Sequence, residues 1–479
     1  MPSIGPRIAA SPFLYLPIEI SARELDAKLL IAFFAVEAGY EVILGQKWLM
    51  QRNAGRMPPG TVLFKTLTAI DAKSMQAAHA HGHRIAVIDE EIPGLIAHNE
   101  GLRWVAPAAI AACDLVFAIG DEHLDALLWK FPEHRGKYAV VGNPRWDLLR
   151  PEFARSHEPE VQRLRAQYGR FILINTNLGF TNSGKGTTEQ MVRKLERSGK
   201  FDRRKPEDAS FLSEHLRLER ATLDGITALL PMLADAFPGH RIILRPHPSE
   251  NASTWKSIAA ERERVEVVRD GAALPWILAA DLLIHAYCTT GVEAVALGRP
   301  AICFRPTESF VLDNYLSPLV NISARTVDEV IGQAKPIVAA GEHFVYPAAF
   351  RARFDRSFAA MSGAFAAERI VRELTERFQV GLAPDAARAQ WAPGRGYARY
   401  VLSKKHNRGL MPALAAEDIR QRLARYGEAA GRVRHFAIEP CGDRVFHLHG
   451  HRESARTDGG DAWLPRWMRR LAGGAPAGG

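Results

Sequence analysis

The sequence predicts an α/β fold of two doubly wound domains facing across a cleft, with an additional C-terminal extension. Three observations predict it. Short apolar runs alternate with helix-length segments from Phe13 to Val141, the same cadence restarts at Phe171 and continues to Phe304, and a charged stretch over 151–170 separates the two series. At 479 residues the chain is also too long for one hydrophobic core, so about two or three domains are expected. The division that follows is 1–165 for a first α/β domain, 166–378 for a second, and 379–479 for an accessory extension.

In chain order, Phe13 to Ile18 reads as a strand, and Glu19 to Val36 as a helix with Leu25, Leu29, Leu30 and Phe33 at helical spacing. Gly39 closes it and Val42 to Leu44 resumes as a strand. Strands over 62–64, 84–88, 115–119 and 138–141 follow, with helices over 69–80 and 107–112 between them; 130–137 and 142–144 are loops. The second series starts with Phe171 to Ile174 and a polar loop, Asn175 to Thr187. Residues 188–220 are strongly charged, helical or partly mobile, and Leu223 to Phe237 is an amphipathic helix. Strands at 241–244 and 265–268 and a helix ending near Ala280 lead to the apolar run that ends at Ile284. Phe310 to Tyr315 is placed to cover a cleft, Phe358 to Arg377 reads as a helix, and beyond 380 no βα cadence recurs. A short helix over 415–426 and a flexible end at 473–479 are all that the extension offers.

A hydrophobic fraction of 47% and a charged fraction of 24% are ordinary for a globular protein. The formal charge of +9 permits attraction to anions without choosing among them. Cys113, Cys288, Cys303 and Cys441 lack metal-ligand spacing and suit free thiols in a reducing compartment. With no h-region and no stretch near the roughly 20 apolar residues of a membrane span, a cytoplasmic protein is expected. Arg466, Arg469 and Arg470 beside Trp463 and Trp467 favour some surface contact with anions, and the tail is open to three readings: a small extra domain, an appendage facing the inner side of the membrane, or partial disorder. Arginines and aromatics do not interleave as on a nucleic-acid platform.

Three stretches carry chemistry. Thr289-Thr290-Gly291 lies between an apolar run and a helix, so the first helix amides and the positive end of the helix dipole can hold a phosphate, and Glu293 in the first turn can accept hydroxyls. Arg245 and His247, the latter between prolines directly after a strand, can supply charge and a hydrogen bond to the same anion. Asp89-Glu90-Glu91 ends a strand on the usual ligand side of a parallel sheet, where crowded carboxylates can serve as acid, nucleophile or electrostatic partner. The loop after Ile174, with Asn175, Asn177 and Ser183, resembles a phosphate loop in composition but lacks that motif's spacing, and a surface loop is the competing reading. No aspartate-x-aspartate or H-E-x-x-H motif is present, and His79, His81 and His83 read as a helix end and strand start, so no metal and no cofactor are expected.

Taken with Val141-Gly142-Asn143-Pro144, Leu244-Arg245-Pro246-His247-Pro248, Gly298-Arg299-Pro300 and Ala367-Glu368-Arg369-Ile370, these stretches resemble bacterial surface-carbohydrate biosynthesis proteins, divergent GT-B-type glycosyltransferases related to capsule and O-antigen Kdo transferases. The resemblance spans roughly residues 10–375. It implies two Rossmann-like domains, with nucleotide bound by the second through His247, Thr289, Thr290 and Glu293. It also implies a carboxylate of the first, here Glu91, attacking the anomeric carbon of a CMP-linked sugar. Ile92-Pro93 before Gly94 depart from the family's acidic-acidic-glycine pattern, which leaves the register among Asp89, Glu90 and Glu91 open. The implied activity is metal-independent transfer of Kdo or a related ulosonic acid from a CMP donor to a surface polysaccharide or lipid-linked acceptor. Transfer of a polyol phosphate from a CDP donor, nucleotide-sugar epimerisation, and non-catalytic binding of nucleotide or glycan are the alternatives.

Overall fold

The computed structural model describes residues 12–90, 102, 105–197, 201–260, 262–309, 312–380 and 405–450. Its first sheet contains β1 (Phe13–Ile18), β2 (Glu41–Gln46), β3 (Thr61–Phe64), β4 (Arg84–Ile88), β5 (Leu115–Ala118) and β6 (Tyr138–Val140), all parallel. The second contains β7 (Phe171–Asn175), β8 (Arg241–Arg245), β9 (Val265–Val267), β10 (Leu282–His285), β11 (Ala301–Phe304) and β12 (Ile322–Ala324), again parallel. This is the expected class of two doubly wound α/β domains. The strands read as continuous apolar runs because helices cover both faces, which buries β1, β2 and β7 throughout or nearly so.

Each sheet is wound outward in two directions from its first strand. The order β2-β1-β3-β4-β5-β6 reverses between β1 and β3, and β12-β11-β10-β7-β8-β9 reverses between β10 and β7. At a reversal the crossover helices lie on opposite faces, so the loops leaving the carboxyl ends diverge and open a crevice.

The chain returns to its first domain after the second is complete. The Ala348–Ser357 helix packs on the Asp121–Lys130 helix, and the Ala366–Phe378 helix packs on the Ser21–Glu37 helix, although the expected division assigns 166–378 to the second domain. Asp147 fixes the return: its carboxylate accepts from the amides of Ala366 and Ala367 at 2.8 and 2.9 Å. The single helix expected over 358–377 is broken instead, with Ala360 and Gly363 at positive φ between the two helices. The charged stretch from 188 forms the Thr188–Arg197 helix, and the Pro206–Ala236 helix then runs unbroken through Pro231, absorbing the expected Leu223–Phe237 helix.

The extension is not separate from the first domain. β13 (Phe436–Gly442) and β14 (Val445–Gly450) form a hairpin that adds to the first sheet antiparallel to β2. A Cβ on Gly45 would sit 2.1 Å from the carbonyl oxygen of Arg444, so only glycine lets the hairpin turn approach β2 so closely. The Ala416–Ala429 helix packs on the Ser21–Glu37 helix, whose residues from Leu29 to Val36 are all buried because it is covered on several sides. All four cysteines are buried free thiols. Among the described residues no helix is long and apolar enough to cross a membrane. Glu91, Phe310, Val311 and the residues from 463 onward lie outside the described residues.

Candidate functional site

In the second domain, β7, β8 and β10 end level with one another. Asn175 pairs in register with Arg245 on one side and with His285 on the other. The loops leaving these positions carry Asn177, Ser183, His247 and the turn at 289–293, so strand register gathers the candidates of this domain at one sheet edge, beside the β7/β10 crevice.

A buried carboxylate ties two of these loops together. Glu250 accepts from the backbone N–H of His247 at 2.9 Å, Thr176 Oγ1 at 2.7 Å, Trp255 Nε1 at 2.9 Å and Asn182 Nδ2 at 3.3 Å. Ser183 bridges Glu250 through the backbone, while Asn177 is exposed. His247 itself is exposed, and its Nδ1 accepts from the Ser249 N–H at 3.2 Å with Ser249 Oγ at 2.7 Å. Since a backbone N–H only donates, the ring proton belongs on Nε2, which makes Nε2 the donor toward a ligand. Partial desolvation of the ring by its loop holds the His247 pKa below its ordinary value; Glu250 opposes this, while Lys185, Arg269 and Arg23 add to it. A neutral donor in the field of three cations is suited to an anion.

Arg245 does something else. Its Nη2 donates to the carbonyls of Asp270 and Gly271 at 3.0 and 2.8 Å, its guanidinium lies 5.0 Å from the Trp276 ring, and burial lowers its pKa to about 10. It braces the loop after β9 through Nη2, while its buried Nε has no hydrogen-bond partner among the described residues.

The turn after β10 is strained and anchored. Tyr287 adopts φ 51°, uncommon for a bulky residue, and its hydroxyl donates to Asp313 Oδ1 at 2.8 Å, an oxygen that also pairs with Arg305 at 2.9 Å. The turn delivers an exposed Thr289 and a partly exposed Thr290 at the start of the Thr289–Ala296 helix. The Gly291 amide, expected to face a phosphate, donates instead to the Cys288 carbonyl at 3.1 Å. Gly291 is required for another reason: a Cβ there would lie 2.1–2.7 Å from atoms of the buried His285 ring. Burial lowers the pKa of His285 to about 3. Both His285 ring nitrogens and Asn175 Oδ1 are buried without hydrogen-bond partners among the described residues, so the floor of the crevice holds unspent polar capacity. Burial raises the Glu293 pKa and Arg145 of the first domain opposes it.

The first domain presents a charged edge in the same way. Asp89 and Glu90 follow β4 and are buried, 5% and 6% exposed. Asp89 Oδ2 accepts from the Leu67 N–H at 3.2 Å, and Glu90 pairs with the fully buried Lys28 at 3.3 Å. Beside them, Glu24 accepts from the amides of Glu19 and Ile20 and pairs with Lys65 at 2.7 Å; Glu19 pairs with Lys65 at 2.9 Å and with Lys47 at 2.5 Å. Burial pushes Glu19 up, but Lys47 and Lys65 outweigh it and leave its pKa lowered; burial pushes Lys65 down, and Glu24 and Glu19 reverse that. This network lies beside the β1/β3 crevice. The sequence reading missed Glu19, Glu24, Lys28 and Lys65. Glu24 and Lys28, one turn apart and just before the apolar run Leu29 to Val36, were the available signal, because charges on the buried face of a helix are paired.

Charge is felt between the two domains: Arg23, at the start of the first crossover helix, adds to the lowering of the His247 pKa, and Arg145, after β6, opposes the rise at Glu293. The second domain thus offers an anion-accepting edge and the first a carboxylate-bearing one. Such a pair of edges can hold an activated group by its charged leaving part and offer a carboxylate to its reacting carbon.

No family model matches the chain, and no curated protein sequence matches it. Solved structures similar to it include the wall teichoic acid polymerase TagF, at 11% identity over 77% of this chain and 90% of that one, with a TM-score of 0.43. A putative UDP-N-acetylglucosamine 2-epimerase from Listeria monocytogenes matches at 12% identity over 77% and 97%, with a TM-score of 0.49. The S. aureus MnaA–UDP structure matches at 12% over 78% and 98%, with a TM-score of 0.44. At these levels the likeness says nothing of this chain's activity.

Proposed function

We propose that the chain is a glycosyltransferase that moves a sugar from a nucleotide donor to a surface-polysaccharide or lipid-linked acceptor. The observation that carries this reading is the His247 ring, a neutral donor held by Ser249 whose pKa is lowered in part by Lys185, Arg269 and Arg23; the buried carboxylates Asp89 and Glu90 of the first domain supply the acid side. His247 Nε2–H and the amides of Thr289 and Thr290 hold the donor phosphate, Glu293 accepts hydroxyls of the nucleoside, and Asn175, Asn177 and Ser183 border the sugar. The three cations offset charge on the departing nucleotide, which makes the chemistry metal-independent.

The donor class is a CMP-linked ulosonic acid such as Kdo, as the motif resemblance implies. A carboxylate of the Asp89-Glu90-Glu91 stretch, with Glu91 favoured since Glu90 is engaged by Lys28, attacks the anomeric carbon as the bond to the CMP phosphate oxygen breaks. The acceptor hydroxyl oxygen then bonds to the same carbon as the carboxylate–carbon bond breaks, its proton passing to a neighbouring carboxylate of the same stretch, and the two inversions retain configuration. The proposed place of action is the cytoplasm, in contact with the inner face of the membrane.

The test is incubation with CMP-Kdo, UDP-sugars and a CDP-activated polyol, with and without glycan acceptors, read by mass spectrometry. Nucleotide release with a mass gain on the acceptor is expected. E91Q is expected to abolish transfer while nucleotide binding persists; near-normal transfer by E91Q returns the role to Glu90 or Asp89. Donor isomerisation without acceptor, polyol-phosphate transfer, or binding without turnover would each replace this reading with the corresponding alternative.

A further inference from the structure

The hairpin that joins the extension to the first domain carries a group of ligands remote from the cleft. His447 and His449, two residues apart on β14, project from the same face of the strand. Glu439 on β13 stands directly opposite His447 in the antiparallel register. One ligand atom from each of Glu439, His447 and His449 lies within 4.8 Å of the other two. Glu41, at the start of β2, places Oε2 2.6 Å from His447 Nε2.

The hydrogen bonding shows what the group needs. His449 Nδ1 lies 2.9 Å from the Gly450 carbonyl oxygen, which only accepts, so the ring's proton belongs on Nδ1. The Nε2 lone pair then faces Glu439 Oε1 at 3.5 Å. A lone pair against a carboxylate oxygen calls for a cation between them. Tetrahedral bonds of about 2.0–2.2 Å to zinc put donor atoms roughly 3.3–3.5 Å apart, so this pair already has the required spacing. The two rings are 5% and 9% exposed, so the site is largely closed to water.

We propose that Glu439, His447 and His449 bind a zinc ion, with Glu41 orienting the His447 ring. A carboxylate on the far nitrogen of a metal-ligating histidine is the arrangement that fixes the ring and raises its basicity. Three protein ligands leave a fourth position for water. The role is structural. β14 runs antiparallel to β2, with Val445 opposite Gly45 and Leu448 opposite Val42, so His449 lies toward the amino end of β2, the opposite edge from the cleft. The ion clips residues 436–450 onto β2 and keeps that strand covered as an inner strand of the sheet.

The test uses the full chain without a histidine tag, stripped with chelator and titrated with zinc by calorimetry, with metal content measured after gel filtration. Wild type is expected to take up one equivalent and to melt at a higher temperature with zinc than without. E41Q is expected to weaken binding by about 10–100-fold, and H449A and E439A by more, with loss of the thermal shift. Glu439 is half-exposed, so E439A serves if H449A fails to fold. H247A is expected to bind zinc as wild type does. Absence of stoichiometric uptake by wild type, which would assign the cation to a proton, overturns the proposal, as does uptake unchanged in both H449A and E439A.

Discussion

Glutamine at Glu250 is the sharpest probe of the second wall of the cleft. Oε1 accepts from Thr176 Oγ1 and the His247 N–H, and Oε2 from Asn182 Nδ2 and Trp255 Nε1. E250Q keeps the shape but replaces one oxygen with an NH2 group, so two of the four donors meet a donor. A buried donor left unsatisfied costs about 1–3 kcal/mol, and a turned Thr176 or flipped Asn182 recovers part of this, which leaves about 2–4 kcal/mol. For a domain of this size about 2–4 °C of melting temperature follows each kcal/mol, so a drop of about 4–16 °C is expected. The same change frees the His247 loop, so nucleotide affinity is expected to fall as well. H247A provides the contrast: the side chain is exposed, so its loss is expected to change stability by only about 0.5 kcal/mol while donor affinity falls. Thermal unfolding by circular dichroism and nucleotide titration on both variants give the answer. An E250Q protein melting within about 2 °C of wild type would refute the account of Glu250 as the tie between the two loops.

Two further predictions concern the floor of the crevice and the buried histidines. In G291A the added methyl collides with the His285 ring, at a cost of about 1–3 kcal/mol, and moves the start of the Thr289–Ala296 helix. Reduced melting temperature together with weaker nucleotide binding is expected, and wild-type values for both would show that the contact does not position the turn. The second prediction concerns acid. Burial lowers the pKa of His285 to about 3 and of His123 to about 4, against about 6.5 in an unfolded chain, so the folded state binds fewer protons below that point. Their contribution to stability is full above about pH 6.5 and is lost as pH falls toward 4, at up to about 1.4 kcal/mol per unit for each ring. Urea unfolding at pH 7, 6 and 5 should show a falling free energy, and a flat profile would contradict the buried, neutral state of the two rings.

The alternation of apolar runs and helices was legible because parallel strands covered on both faces must be apolar along their whole length. That signal marks Phe13, Val42, Phe171 and Leu282 as strand residues without any knowledge of their neighbours. The local geometry of the site was legible for the same reason: His247 follows a strand, and Thr289 begins a helix. Strand partners were not legible. Nothing near Val445 says that it will lie beside Gly45, since antiparallel pairing across 400 residues is decided by which sheet edge remains open, and β2 is that edge.

The amino-acid order alone determined that this chain forms two wound sheets and that polar residues interrupt it after β4, β7, β8 and β10. Only the folded chain decided which of those residues meet. Arg245 meets Asp270 and Trp276, Gly291 leaves room for the His285 ring, and Lys28 comes from a distant helix to Glu90. The physical reason is that charge and hydrogen-bonding capacity belong to a residue, whereas the groups that satisfy them are set by distance in space. Sequence lists the donors and acceptors, and packing pairs them.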